Sequence, residues 1–599
     1  MTEPTQLDLT DRGRGLLLGA AAGDALGWPQ EQRSGIVGGK SSRSTEPRWA
    51  FRAWDRWGGH RFSRYRDPVA AGEYSDDTQL LLATARACLR GEGWRSWLTS
   101  TELPVWPLYQ RGGGLAVLRA CRSWAKGRAP WEADAKTAHA YFAAGANGAA
   151  MRIAPHALLL AEDPSPRELV ARVVLDGVTT HGHTRALLGA VVYALAVRHT
   201  LRLHPPLEYG GLVGELLKQT DWADPTVPHE VLPKTWLDAF HQHSDLDFHR
   251  SWESTAREMT DLLNTAQHSM QRAALADDEE TMRALGCFDP KVNGAGTVTA
   301  AAACYLADRF SVKPRAGLLK PAFLADADTD TLASMTGGVL GAVHGTPWLT
   351  ELSPALQDHA YIASLAERLC SAAGEGPPAA PAPAGPAASG GTWLESLADP
   401  EGPHDFADGR TVTAVERERL ESSGKQEVER VRLVLGDGQH VMVDRREKPA
   451  HDRPAREAAA TETREPLERA ERRPPEPTAV VSRLALQVAD LERTREFYAG
   501  ILGARVSQNG PALYLSRWLA FLDSGGETPS LFGNSARITL ASSDPEGVSR
   551  RVDESGVERL PAGPQDVPGS LRVRDPDGNE VLVWPASDAA SSNQSGPHT

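Results

Sequence analysis

Glycine recurs every fourth residue in GLLLGAAAGDALGWPQE, at Gly15, Gly19, Gly23 and Gly27. On a helix this spacing puts all four on one face and strips that face of side chains. Each glycine costs a helix about 0.5–1 kcal/mol relative to alanine, so four in register need a compensating contact. Close packing against a second helix is one such contact, and backbone approach to a ligand is another. Asp24 lies on the same helix, Trp28-Pro29 ends it, and Glu31 sits just beyond. Taken alone, an acid at either place reads as a solvated surface charge.

Two acidic clusters about 250 residues apart each open an apolar, helix-like run: Ser75-Asp76-Asp77-Thr78 and Asp326-Ala327-Asp328-Thr329-Asp330-Thr331. The first run closes at Gly91, and the second carries Gly337, Gly338, Gly341 and Gly345. As a helix start, Ser75 or Asp76 is an N-cap and the next acid complements the helix dipole. The second cluster exceeds what a cap requires, and its acids would repel one another unless a cation held them together. Carboxylates and hydroxyls on two rigid helix starts supply the oxygen ligands that hard divalent cations need. If the clusters meet in the fold, they would hold one or two Mg²⁺ or Mn²⁺ ions.

At 599 residues the chain is too long for a single core. Its net charge of -14 argues against nucleic-acid backbone or anionic membrane as the main target, while leaving room for a local basic groove. Cys88, Cys121, Cys287, Cys304 and Cys370 are far apart and form no CxxC pair, which points to reduced thiols in a cytoplasmic setting. Met1 to Thr10 is polar and does not read as a signal peptide, and no segment has the roughly 18–20 apolar residues that span a bilayer.

Composition divides the chain. Residues 1–376 are rich in Ala and Leu at helical spacing, and 377–392 form a Pro/Ala/Gly linker. Residues 393–445 hold a small β segment, with Gly436-Asp437-Gly438 as a hairpin turn between Glu429–Leu435 and His440–Val443. A densely charged, Pro-bearing stretch at 446–478 reads as a second linker, 479–587 as a compact unit with β and α signals, and 588–599 as a disordered tail.

GLLLGAAAGDALGWPQE, GEYSDDTQL, GANGAAMRIAP, TTHGHTRA and DADTDTLASMTGGVLGAVHG occur in the order found in ADP-ribosylglycohydrolases, and the first domain resembles that family. The resemblance implies an all-α orthogonal bundle whose cleft holds two Mg²⁺ or Mn²⁺ ions. It implies Ser75, Asp76 and Asp77 as ligands from one cluster, with Asp328, Asp330 and Thr331 from the other. Glu31 would lie beside the metals and the distal ribose. Asn147, Gly148 and Met151 would belong to the loop that wraps ADP-ribose, His181 would lie near the pyrophosphate, and Gly294 to Thr297 would line the nucleotide. Two positions depart from the family pattern: Asp326-Ala327 stand where the family often has Gly-Gly, and Ala146 where it often has Gly. The implied reaction is hydrolysis at the anomeric carbon of the distal ribose, with Glu31 or Asp77 taking or relaying the proton of the attacking water.

The stretch from 479 resembles the vicinal-oxygen-chelate fold of glyoxalase I and bleomycin-resistance proteins, an α+β architecture of paired βαβββ units. Asp490, Phe497, Tyr498, Leu502 and Gly503 match its strand-to-helix signature, and Asp575 to Asn579 its closing hairpin. Arg483, Arg537 and Leu582 stand where metal-bearing members place ligands, although Glu580 lies two residues before Leu582 on the same face. A binding or dimerising module is therefore expected there, and family habit makes a homodimer through this unit an expectation.

Between the first two motifs, Trp49 to Arg66 mixes three Trp, two Phe and a Tyr with five Arg. It reads either as a half-buried aromatic lid with snorkelling arginines or as a loop that recognises acceptor or adenine. The leading function is removal of ADP-ribose from a modified protein, nucleobase or small-molecule acceptor. A second reading is a non-catalytic ADP-ribose-binding protein whose C-terminal domain binds a small molecule or dimerises. A third, a glyoxalase- or dioxygenase-type enzyme with a helical appendage, conflicts with the three missing ligands.

Overall fold

A computed structural model describes residues 8–375 except 32–35, 38–39, 45, 61–62 and 204–206, and 393–447 except 395, 398–403 and 423–426. Beyond these it describes 484–488, 491–502, 507–509, 512–514, 519–523, 537–542, 544–561, 570–574 and 580–585. The linker 377–392, nearly all of the charged stretch 446–478 and the tail 588–599 lie outside the described residues, as do Arg483, Asp490, Gly503 and Asp575–Asn579. The chain forms two compact units, Met1–Glu457 and Ala458–Thr599.

The first unit is built mainly of helices. Those that matter for the site are α1 (Leu9–Gly27), α2 (Asp76–Cys88), α3 (Leu115–Trp124), α4 (Arg167–Gly177), α5 (Thr184–Arg202), α6 (Phe248–Gln271), α7 (Gly296–Arg309), α8 (Thr329–His344) and α9 (His359–Glu375). The glycine stripe of α1 packs directly on α8. A Cβ at Gly15, Gly19, Gly23 or Gly27 would stand closer than 3.0 Å to the carbonyl oxygen of Gly341, Gly337, Ala333 or Thr329 respectively. The relation is reciprocal, because a Cβ on Gly337 or Gly341 would strike the carbonyl of Gly19 or Gly15. The compensating contact is therefore helix–helix packing, with the two helices antiparallel and backbone against backbone. Thr329 Oγ1 closes the end of this seam by donating to the Gly27 carbonyl at 2.9 Å.

A hairpin of β1 (Trp54–His60) and β2 (Ser63–Val69) pairs antiparallel from Trp54↔Val69 to His60↔Ser63. Its Trp54 is buried edge-on against Trp28, with ring centroids 5.2 Å apart. The small β segment becomes an antiparallel sheet of β3 (Val412–Leu420), β4 (Glu427–Leu435) and β5 (His440–Glu447), with Gly438 of the connecting turn at φ +94. This sheet belongs to the first unit. Val431, Leu433 and Val443 share an apolar cluster with Trp106, Tyr109 and Val117. Arg430, 1% exposed, donates to Asp67 of β2 at 2.7 Å and grips both oxygens of Asp444.

The sheet is also tied to the helices where the His440 backbone N–H donates to Asp358 at 2.9 Å and its Nδ1 lies 2.7 Å from the same oxygen. The Asp358 partner raises the His440 pKa above the ordinary histidine value. A histidine with a raised folded pKa binds its proton more tightly when folded. Its stabilisation is full below about pH 6.5 and is lost as pH rises through the folded value. His440→Gln should therefore lower the thermal midpoint more at about pH 5.5 than at about pH 8. Equal losses at both would contradict this pairing.

Among its described residues the second unit contains two sheets. In the first, β6 (Leu484–Val488) is followed by helix α10 (Leu491–Arg495), β7 (Ser507–Asn509), β8 (Ala512–Tyr514) and β9 (Leu519–Asp523). The strand order is β6-β9-β8-β7, with the β6–β9 pair parallel and the others antiparallel. The second comprises β10 (Arg537–Ser542), α11 (Pro545–Ser555), β11 (Leu571–Arg574) and β12 (Glu580–Pro585), ordered β10-β12-β11 with β10 and β12 parallel. The first half has the βαβββ order expected for the chain's end, and the second shows βαββ among the described residues. Phe497, Tyr498, Val552, Val573 and Val581 are part of its core, and Leu582 is buried as well. Among the described residues no helix is long and apolar enough to cross a membrane.

Candidate active site

The α1–α8 seam places the start of α8, with Asp328 and Asp330, beside Glu31 just past the end of α1. Asp24 then brings in α2. Its buried carboxylate accepts from the backbone N–H of Ser75 at 3.1 Å, from that of Thr78 at 3.0 Å and from Thr78 Oγ1 at 2.6 Å. Far from being solvated, Asp24 caps the start of α2 from another helix. Ser75 is the N-cap, its Oγ accepting from Asp77 N–H at 3.3 Å. Asp24→Ala leaves those N–H groups buried without partners and is expected to cost about 1–3 kcal/mol, read as a lower denaturant midpoint, along with loss of activity.

The two clusters do meet. Thr331 Oγ1 lies 3.3 Å from Asp77 Oδ2, and one carboxylate oxygen each from Glu31, Asp328 and Asp330 lie within 4.8 Å of one another. Asp328 occupies the N-cap position of α8 but makes no capping bond. Its Oδ2 instead accepts from Asn147 Nδ2 at 2.8 Å. Burial pushes Asp77 well above the usual carboxylate range, and the charges of Asp24, Asp76 and Asp328 push it further. Asp330 is raised by burial and then by Glu31, Asp328 and Asp77. Asp77 Oδ1 is buried without a hydrogen-bond partner. An all-oxygen donor set, mutually repelling carboxylates and an orphaned carboxylate oxygen fit a hard divalent cation.

The 145–152 loop forms the next wall. Ala146 bridges Ala295 antiparallel, Asn147 N–H donates to the Gly294 carbonyl at 2.9 Å, and Asn147 Nδ2 also reaches Thr299. Thus the Gly294–Thr297 segment and the Asn147–Gly148 loop line one flank of the carboxylates. His181 is buried, 2.8 Å from Thr180 Oγ1, and a Cβ on Gly148 would lie 3.0 Å from its ring. Burial and the nearby Arg152 guanidinium drive its pKa down to about 3, so it is a neutral imidazole. Met151 is buried in the apolar cluster with Leu80 and Val117. His183 caps α5 by accepting from Arg185 N–H at 3.1 Å.

Arg152, which the sequence places with Met151 at the end of the ADP-ribose loop motif, organises this loop. It donates to the Gly148 carbonyl at 2.8 Å and forms an ion pair with Asp176 of α4 at 2.7 Å, both side chains wholly buried. Asp24 was missed, although a carboxylate embedded in a run of Gly and Ala that must pack tightly is itself a sign of burial.

A model of the ADP-ribosylglycohydrolase family matches residues 5–378, more than half of the chain. The chain belongs to the ADP-ribosylglycohydrolase family. A second model, for the glyoxalase/bleomycin resistance protein/dioxygenase superfamily, matches residues 480–583. One similar solved structure is an ADP-ribosylglycohydrolase-related protein complex, 22% identical, spanning 61% of this chain and 99% of that one at a TM-score of 0.38. The Leishmania major glyoxalase I is 17% identical over 20% of this chain and 94% of its own, at 0.17. Lactoylglutathione lyase from Agrobacterium tumefaciens is 20% identical over 18% and 93%, at 0.15. No curated protein matches the chain.

Membership in the ADP-ribosylglycohydrolases supports a glycohydrolase function for the chain, in a family that is generally metal-dependent. Both departures from the family pattern now have a physical account. Asp326 adopts φ +68, the left-handed region that favours glycine, and its exposed side chain lies 3.8 Å from Arg43. Ala146 is absent from the positive-φ residues, so no penalty attaches to it. In the glyoxalase-like unit, Leu582 is buried and offers no metal ligand.

Proposed function

We propose that the first unit is a divalent-cation-dependent hydrolase that releases ADP-ribose from a modified acceptor by cleaving the bond at the anomeric carbon of the distal ribose. The observation that carries this reading is the convergence of the two acidic helix starts around the unpartnered Asp77 Oδ1. Ser75, Asp76 and Asp77 would hold one side of a two-ion Mg²⁺ or Mn²⁺ centre, and Asp328, Asp330 and Thr331 the other. Such ions supply a lowered pKa for water and a fixed place for vicinal sugar hydroxyls.

The chain's own groups do the rest. Glu31, half-buried beside Asp328 and Asp330, accepts the proton of the attacking water, with Asp77 as the deeper relay. Asn147 orients Asp328 through its amide while its loop cradles the nucleotide. Gly148 leaves room for His181, whose neutral ring has Nδ1 engaged by Thr180 Oγ1 and keeps Nε2 for the pyrophosphate.

The test is product analysis. The full chain is incubated with ADP-ribosylated arginine, serine and nucleobase substrates, and free ADP-ribose plus intact acceptor are the expected products from at least one. Tight ADP-ribose binding with no release from any would move the reading to a silent binding protein. We infer a cytoplasmic setting from five buried free cysteines. The glyoxalase-like unit is proposed to pair two copies of the chain; a monomeric mass by light scattering would remove that role.

A further inference from the structure

The carboxylate cluster has two flanks. Asn147 and Gly294 occupy the Asp328 flank, where a Cβ on Gly294 would lie 3.3 Å from Asp328 Oδ2. On the opposite flank, beside Glu31, is a small cavity of about 210 Å³ lined by Trp28, Glu31, Arg56, Trp57, Gln110 and Gly112, among others. Gly112 sits at φ +96, and a Cβ there would be 3.0 Å from Asp76 Oδ1, 3.5 Å from Trp28 Nε1 and 3.7 Å from Arg56 Nη1. Glycine therefore keeps open the passage between the cavity and the carboxylates. At this volume the cavity takes one planar ring system, since drug-sized sites run to about 300–1,000 Å³.

Its lining is rich in donors. Arg56 lies 5.1 Å from the centroid of the Trp28 ring, and Arg111 lies 5.3 Å from the same ring. Gln110 Oε1 accepts from Gly113 N–H at 3.0 Å, so what Gln110 offers a ligand is its amide N–H. Trp57, 37% exposed, supplies a second indole. Arg56 is fixed from behind: its Nε lies 3.1 Å from Asp67 Oδ2, while Asp67 Oδ1 accepts from Arg111 at 2.8 Å and Arg430 at 2.7 Å. Arg430 comes from the small sheet, which neither family model matches.

We propose that this cavity is the acceptor subsite and that it selects an uncharged planar acceptor with carbonyl oxygens, a nucleobase, over an arginine guanidinium, with Arg56 setting the choice. The inference rests on the hydrolase reading, with ADP-ribose on the Asn147 flank. Hydrolysis breaks the bond between the anomeric carbon and a ring nitrogen. The hydroxyl of water goes to the carbon and its proton to the nitrogen. As that bond breaks, negative charge spreads onto the carbonyls beside the nitrogen, where Arg56 and Gln110 donate. A guanidinium would instead meet the like charge of Arg56, with Glu31, the one acid of the lining, already committed to the attacking water.

The full chain, with Mg²⁺ or Mn²⁺, is assayed on ADP-ribosyl-thymidine, on an oligonucleotide carrying the same linkage, and on ADP-ribosyl-arginine. The two nucleobase arms separate a free nucleoside from a nucleic-acid source. The expected result is a kcat/KM for at least one nucleobase substrate about tenfold or more above that for arginine, with Arg56→Gln shrinking the ratio by a similar factor and Arg56→Lys preserving its sense. Preference for arginine by the wild type would overturn the subsite alone. So would an unchanged ratio in Arg56→Gln protein that still binds ADP-ribose by calorimetry. No release from any of the three, with ADP-ribosyl-serine still hydrolysed, would overturn the subsite alone, and no release from serine either would overturn the hydrolase reading and the subsite with it.

Discussion

Gly23→Ala is expected to destabilise the first unit by about 3 kcal/mol or more, although alanine is the better helix former by about 1 kcal/mol. The added methyl would stand inside 3.0 Å of the Ala333 carbonyl, and its nearest neighbours there are backbone atoms, which cannot rotate away as a side chain can. Relief requires α1 and α8 to separate, and that separation pulls Glu31 and Asp24 away from Asp330 and Ser75. Loss of stability and loss of glycohydrolase activity should therefore appear together. Gly93→Ala is the matched control, since nothing lies within 4 Å of a Cβ there. Denaturant midpoints for both variants decide the matter: a Gly23→Ala protein as stable as wild type would refute the seam.

Asp77→Asn should have the second large effect, with opposite signs in two measurements. In metal-free protein the substitution removes a buried negative charge that Asp24, Asp76 and Asp328 oppose, so the thermal midpoint should rise. With Mg²⁺ or Mn²⁺ present, wild type should gain stability by ligand linkage, while the variant gains little. Activity should fall by about 10²–10⁴-fold, the several kcal/mol a positioned ion contributes. A variant less stable than wild type without metal would mean that Asp77 has a structural partner rather than an ion.

Much of this centre was legible before the fold. The four-residue glycine period required a close partner, and the small residues of the second acidic helix offered one. The excess of acids over capping needs at Asp326 to Asp330 pointed to a cation. The contacts that were not legible join residues far apart in the chain. Asp24 meets Ser75 across 51 residues, and Arg430 meets Asp67 across 363. No local pattern distinguishes a surface arginine on a strand from one buried against a carboxylate of a distant hairpin. The aromatic-basic stretch from Trp49 divided similarly. Trp54 went into the core and Arg56 to the cavity, and only the hairpin register determines which side chain takes which role.

The measurement that bears most directly on the whole account is ADP-ribose release by the full chain under chelator, then with Mg²⁺ or Mn²⁺ restored, alongside Asp328→Ala. The account predicts no release under chelator, recovery on adding either ion, and no recovery in the variant. Release that survives chelation, or that Asp328→Ala leaves intact, would contradict it.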